Sequence, residues 1–266
     1  MATQPGPSGT EVTVAPADRG RGGWRFGVTL TALLIGTAGL AGSAAGISAQ
    51  LLPRRFTASQ QQQIVAWEMG RRWRSMPAGE IFPPAVSYQL PSAALGATSG
   101  LPLKAYRVGI SRQTSCVSAS DPAAGRVLAA GRCTAMVRAT YTDETDSMLV
   151  TVGVAVMPGA GAAKSAASKL SSVPAPQPAV RTVPFRSTLA RRFGDRQRQL
   201  SWAVSSGPYV IMSTAGYADG TPKIALVSDP YADAEMTSFA TGVADAVGAP
   251  LGAPPQPPRC PGAPGC

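Results

Sequence analysis

The sequence predicts an α+β protein: one N-terminal transmembrane helix, then an extracytoplasmic antiparallel β-sheet with helices packed on one face, arranged as two β-β-α halves. Three observations carry this expectation. Residues 26–52 form a run of 27 residues without a charge, bounded by Arg25 and by Arg54–Arg55. Residues 133–156 alternate apolar and polar side chains on either side of an acidic turn, the pattern of a half-buried hairpin. Residues 230–247 repeat apolar side chains at helical spacing between a clear start and a clear stop.

The uncharged run is long enough to span a bilayer, which takes about 20 apolar residues at the helical rise. Two readings of it compete. As a signal-anchor it stays in the membrane; as a signal peptide it is cut near Ile47-Ser48-Ala49, ahead of Gln50. The 25-residue lead-in is long for a signal peptide, so we read an anchor. Arg19, Arg21 and Arg25 before it nearly balance Arg54 and Arg55 after it, leaving the charge rule for orientation undecided. All four cysteines lie downstream, which orients the N-terminus inward and the bulk of the chain outward. Ala38, Gly42 and Gly46 recur every four residues, a small-residue face on which two copies of such a helix would associate as a homodimer.

The expected organisation is a disordered cytoplasmic tail over 1–24, the anchor over 25–52 and an amphipathic juxtamembrane helix over 53–77. An extracytoplasmic α+β domain follows over 78–248, and a Pro/Gly-rich tail over 249–266. In the juxtamembrane helix, Thr57 with Gln60 makes a capping box, and Val65, Met69, Trp73 and Met76 share one face. That face packs on a sheet, or else the helix lies on the membrane with Arg71, Arg72 and Arg74 toward anionic lipid and Trp67 at the interface.

Five prolines break residues 77–103 into loop, with a short strand at 86–90. A strand over 104–112 runs into a long loop to Cys116. Strands 133–142 and 148–156 form the first hairpin around Asp143-Glu144-Thr145-Asp146-Ser147, and an Ala-rich helix covers 160–171. A Pro-spaced connector over 173–180 leads to a second hairpin, 199–205 with 209–217, and to a short strand at 223–227. Asp229 and Pro230 start the last helix, Met236, Phe239, Ala240, Val243 and Val247 form its stripe, and Gly248 with Pro250 stops it.

The helix-bearing stretch FTASQQQQIVAWEMGRRW and the hairpin CTAMVRATYTDETDSMLVTVGVAVMP follow a short basic tail and a single span. In that order they resemble uncharacterised single-pass extracytoplasmic proteins of high-GC Gram-positive bacteria, over roughly residues 20–250. The resemblance implies a location and a fold type, and transfers no site residues.

The chemistry is narrowed by what the sequence omits. Without histidine there is no Ser-His-Asp or Cys-His arrangement and no His-based zinc site. Walker A, G-x-S-x-G, S-x-x-K and H-E-x-x-H are absent, and no cofactor is expected. The acidic groups Asp143, Glu144 and Asp146, and Asp229, Asp233 and Glu235, read as a hairpin turn and a helix start rather than as glycosidase or calcium carboxylates.

The expected function is therefore non-catalytic: a membrane-anchored interaction or accessory protein of the cell envelope, with a protein partner there. The alternative is a binding module for an anionic wall polymer or small ligand, contacted by Arg191, Arg192, Arg196 and Arg198. A net charge of +10 fits an anionic neighbour, and a membrane location argues against nucleic acid. Four cysteines allow three pairings. Cys116–Cys133 closes a 16-residue loop and Cys260–Cys266 closes a Pro/Gly turn in the tail, so these are the expected disulfides.

Overall fold

A computed structural model describes residues 55–92, 100–173, 177–222 and 230–257, with side chains except for 230–232. The expected span over 26–52, its face of Ala38, Gly42 and Gly46, the strand at 223–227 and the Cys260–Cys266 pair lie outside the described residues. Among the described residues no helix is long and apolar enough to cross a membrane. One compact unit runs from Phe56 to Arg259.

The elements are α1 (Ala58–Ser75), α2 (Ala78–Ile81), β1 (Ala85–Leu90), β2 (Leu101–Ile110), α3 (Pro122–Ala130), β3 (Ala135–Asp143), β4 (Met148–Val156), α4 (Ala160–Ser171), β5 (Leu200–Ser206), β6 (Tyr209–Tyr217) and α5 (Pro230–Gly252). The strands form one six-stranded sheet in the order β1-β2-β3-β4-β6-β5. Every neighbouring pair is antiparallel. The fold is thus α+β on an antiparallel sheet, as the alternation in 133–156 requires. Asp143 closes the β3–β4 hairpin: its carboxylate accepts from the Met148 backbone N–H at 2.7 Å, from the Thr145 N–H and hydroxyl, and from Ser147 Oγ.

The expectation of helices on one face is corrected. Every residue of β4 is buried, and all of β6 except Tyr217, so the two central strands need cover on both sides. Strand alternation separates the covers. Val150, Val152, Val154 and Val156 of β4, with Ile211 of β6, face Phe239, Val243 and Val247 of α5. Ala155, Val210 and Met212 face Ala163, Ala166 and Leu170 of α4 and Leu128 of α3. Each large apolar side chain so buried contributes about 1.5–3 kcal/mol relative to exposure. The β3–β4–α4 and β5–β6–α5 runs exist as two hairpin-helix segments, but their helices take opposite faces.

Three further differences have local causes. The loop between Cys116 and Cys133 contains helix α3, capped by Asp121, whose Oδ1 accepts from Ala124 N–H at 2.8 Å, with Pro122 in the first turn. Helix α5 does not stop at Gly248. It continues to Gly252 with Pro250 inside its last turn, because Leu251, four residues after Val247, is fully buried in the same core. Gly248 is still needed, since a Cβ there would come within 2.9 Å of Ile211.

Residues 177–185 are not a free connector. They cross the second sheet face as an extended strap, and Val180 is buried in it. The polar positions of the sheet hold this strap. Thr214 Oγ1 donates to Val180 O at 2.7 Å, Thr140 Oγ1 donates to Val183 O at 2.9 Å, and Thr151 Oγ1 accepts from Val183 N–H at 3.1 Å. Gly153 allows the approach, because a Cβ there would lie 2.8 Å from Val180 Cγ2.

Asp121 ties the strap to α3. Its Oδ2 accepts from the Ala179 N–H at 2.8 Å and from Arg198 Nη1 at 3.1 Å. The Cys116–Cys133 disulfide is present, with a sequence separation of 17, and closes the chain around α3.

Two predictions follow from this second cover. Asp121→Ala removes a helix cap and leaves a backbone N–H and a guanidinium without their acceptor. It should cost about 3 kcal/mol, against about 1 kcal/mol for Arg198→Ala, read as urea-unfolding midpoints. Replacing both Cys116 and Cys133 by Ser should cost roughly 3 kcal/mol in the loop-closure account. Non-reducing peptide mapping of the wild type should return the linked pair.

Candidate functional site

Helix α1 begins with the expected capping box: Gln60 N–H donates to Thr57 Oγ1 at 3.3 Å, and Thr57 N–H donates to Gln60 Oε1 at 2.9 Å. Its C-terminal half is fixed to the domain. Trp73 is buried in the main core. The Tyr209 hydroxyl accepts from the Trp73 backbone N–H at 3.3 Å and donates to the Met69 carbonyl at 2.5 Å, engaging both partners of one helical i→i−4 position.

Arg72 acts as a cap for another helix. Its Nη1 donates to Pro250 O at 3.0 Å, to Leu251 O at 3.3 Å and to Ala253 O, all carbonyls that the end of α5 leaves unpaired. One arginine of the expected lipid-facing set is therefore turned into the protein. Arg71 lies over the ring of Trp67, 4.2 Å from its centroid, and Trp67 is 63% exposed.

The N-terminal half of α1 is left standing off the domain, and the gap beneath it is an apolar groove of about 400 Å³. Val65, Ala66, Met69 and Gly70 form one wall, continued by Gln61, Gln62 and Ala58. The turn into α4 (Pro158, Gly159 and Ala160) and Pro208 of the β5–β6 turn form the other, and Pro257 of the C-terminal segment completes it. No charged side chain lines it. Val65 and Met69 were expected on the apolar face of this helix; the prolines opposite carry no motif and come from three separate parts of the chain.

A second, polar hollow of about 730 Å³ lies among Arg191, Arg192, Asp146, Ser147, Tyr217 and Asp219. The four expected arginines do not form a strip. Arg191 and Arg192 line this hollow with two carboxylates, Arg198 is paired with Asp121, and Arg196 is exposed outside it. Asp219 is held below the usual carboxylate range by the Thr221 N–H and hydroxyl that it accepts. Among the described residues no group of three or more Cys, Asp or Glu side chains is arranged to hold a metal. Asp143 is committed to the hairpin turn, and Asp233 sits in the first turn of α5.

Three buried phenols lie in the main core. Burial pushes Tyr88 up, helped by the charge of Asp143. Burial pushes Tyr141 up against the opposing pull of Arg107, and Tyr209 up against the Trp73 hydrogen bond and Arg72. The neutral form of each is favoured in the folded protein, while unfolded tyrosine ionises near about pH 10. The folded state then holds more protons than the unfolded one, so stability falls as pH rises past that point. Each phenol should contribute a loss of about 1.4 kcal/mol per pH unit there. Unfolding midpoints should be level through neutral pH and drop steeply above about pH 10. Phenolate absorbance from these three rings should appear only with unfolding.

No protein-family model, no curated protein and no solved structure matches this chain.

Proposed function

We propose that the chain is a membrane-anchored, extracytoplasmic interaction or accessory protein of the cell envelope that performs no catalysis itself. The observation that carries this reading is the apolar groove beneath α1. It offers shape and apolar surface for binding, with no charged group inside it to drive a reaction. The acidic clusters that a hydrolase or calcium site would need are used locally, Asp143 to close a turn and Asp233 at a helix start. The uncharged run over 26–52 supports retention in the membrane with the domain outside, and its face of Ala38, Gly42 and Gly46 supports pairing of two copies.

A second reading, a module for an anionic wall polymer or small ligand, is favoured by one observation. Arg191 and Arg192 line the polar hollow with no ion pair to another described residue. Asp146 and Asp219 line the same hollow and weaken its attraction for a polyanion. The groove therefore ranks first.

The anchor is tested by fractionation and topology together. The full chain should stay in the membrane pellet through alkaline extraction, and a reporter fused after Cys266 should be active only outside the cytoplasm. A mature chain that begins near Gln50 and leaves the membrane would overturn the anchored reading.

A further inference from the structure

We infer that the polar hollow lined by Arg191 and Arg192 is a receptor for a small zwitterion, an amino acid or short peptide. Its carboxylate meets the two guanidiniums while its ammonium meets Asp146 and Asp219. This deepens the second reading above, because it rests on the hollow being a binding site; it is independent of the groove and of the membrane anchor.

The first observation is a separation of charge. Two guanidiniums and two carboxylates line one hollow of about 730 Å³, yet no ion pair joins either arginine to either aspartate. Each group is held locally instead. Asp219 accepts from the Thr221 N–H at 2.8 Å and from the Thr221 hydroxyl at 2.7 Å. Asp146 Oδ1 accepts from Thr142 Oγ1 at 3.2 Å. The arginines end the 3-10 turn Leu189–Arg192, whose Ala190 is buried with Phe193 and Leu149 in a small core of its own. Gly220 lies against the stem of Arg192: a Cβ there would be 3.5 Å from Arg192 Cβ and 3.6 Å from its Cδ.

The second observation is spare bonding capacity. A carboxylate has about four lone-pair sites, and the local bonds of Asp146 and Asp219 leave some of them open. Among the described residues none accepts from either guanidinium. Open acceptors and unpaired donors thus face one space. Tyr217 and Leu189 line it too, and offer contact to the carbon skeleton of a ligand. Ser187, also on the lining, is held at a φ of 64°, a left-handed backbone uncommon for serine and typical of segments that their surroundings hold rigid.

This arrangement selects by charge pattern. A plain anion is drawn by the arginines and repelled by the aspartates, and a plain cation meets the reverse. A molecule carrying both charges gains both contacts at once. The hollow's volume falls within the roughly 300–1,000 Å³ of small-molecule sites. Both contacts form at a solvent-facing surface, so the dissociation constant is on the order of a millimolar.

The test titrates the detergent-solubilised full chain with L-alanyl-L-alanine, its N-acetyl form and its C-terminal amide, followed by saturation-transfer NMR. The free dipeptide should bind saturably, and each capped form at least about 3-fold more weakly. With Arg191→Gln and Arg192→Gln together, the dipeptide and its amide should bind equally. With Asp146→Asn and Asp219→Asn together, the dipeptide and its N-acetyl form should bind equally; asparagine tolerates the left-handed backbone at 146. Unfolding midpoints of both variants should stay near the wild-type value, so the change in preference reports charge and not misfolding. Capped forms that bind as tightly as the dipeptide, a variant that keeps the wild-type preference, or no saturable dipeptide binding overturns the proposal. Tripolyphosphate serves as the polyanion probe. Its binding through both arginines without dipeptide binding would overturn the zwitterion and leave the polyanion reading standing; binding of neither would overturn both.

Discussion

The constraint on which this structure depends is that β4 and β6 are buried on both faces. A sheet with one wet face needs a single layer of helix; strands buried throughout need two. The first layer is simple, because α5 is one long helix that supplies Phe239, Val243, Val247 and Leu251 from a single stripe. The second is assembled from pieces too small to cover the sheet alone: α3, the Ala-rich α4 and the extended strap over 177–185. Such pieces bury little apolar area each, so polar and covalent ties supply what packing does not. Asp121 joins α3, strap and Arg198 through one carboxylate, and the disulfide fixes the chain on either side of α3.

This division explains what was legible in the sequence. Where an element carried its own pattern its existence and type were legible, although α5 runs past its expected stop. The Thr57–Gln60 box, the alternation through Ala135 and Tyr141, and the Cys116–Cys133 pairing all appear as expected. The second layer was illegible because its cohesion is non-local. Asp121-Pro122 is a sound helix start, but it stands in a loop rich in Ala, Gly and Ser with no apolar stripe long enough to announce a helix. The prolines near Val180 suggested a spacer, although an extended proline-rich segment is also what fits across a pleated surface when Thr140, Thr151 and Thr214 stand ready to bond its backbone. One-sided cover was inferred from β3, whose outer positions Arg138, Thr140 and Thr142 are polar. Two of them bond the strap, Arg138 Nη1 donating to Arg181 O at 3.1 Å and Thr140 Oγ1 to Val183 O at 2.9 Å, while Thr142 Oγ1 donates to Met148 O within the hairpin.

The groove was only half legible. Val65 and Met69 marked an apolar face on α1, and the natural partner for such a face is a sheet. Two specific contacts decide otherwise. Trp73 and the Tyr209 hydroxyl fasten one end of the helix, while Pro158 and Pro208 sit where strands end, and proline cannot extend a strand toward the other end. The helix is therefore held by its last two turns, and its first half bounds a gap. The arginine strip fails for a related reason. Arg191 and Arg192 close one short 3-10 turn while Arg196 lies in another, so neighbours in sequence diverge in space.

The placement of Arg72 links α1 to the end of α5. A guanidinium next to two α5 carbonyls and that of Ala253 just beyond compensates a helix end that Pro250 and Gly252 would otherwise leave ragged. The same contact sets where the chain leaves α5, and four residues beyond Ala253 Pro257 lines the groove. Weakening the Arg72 cap would therefore loosen α1 from the end of α5, and with them Met69 and Pro257, two parts of the groove wall.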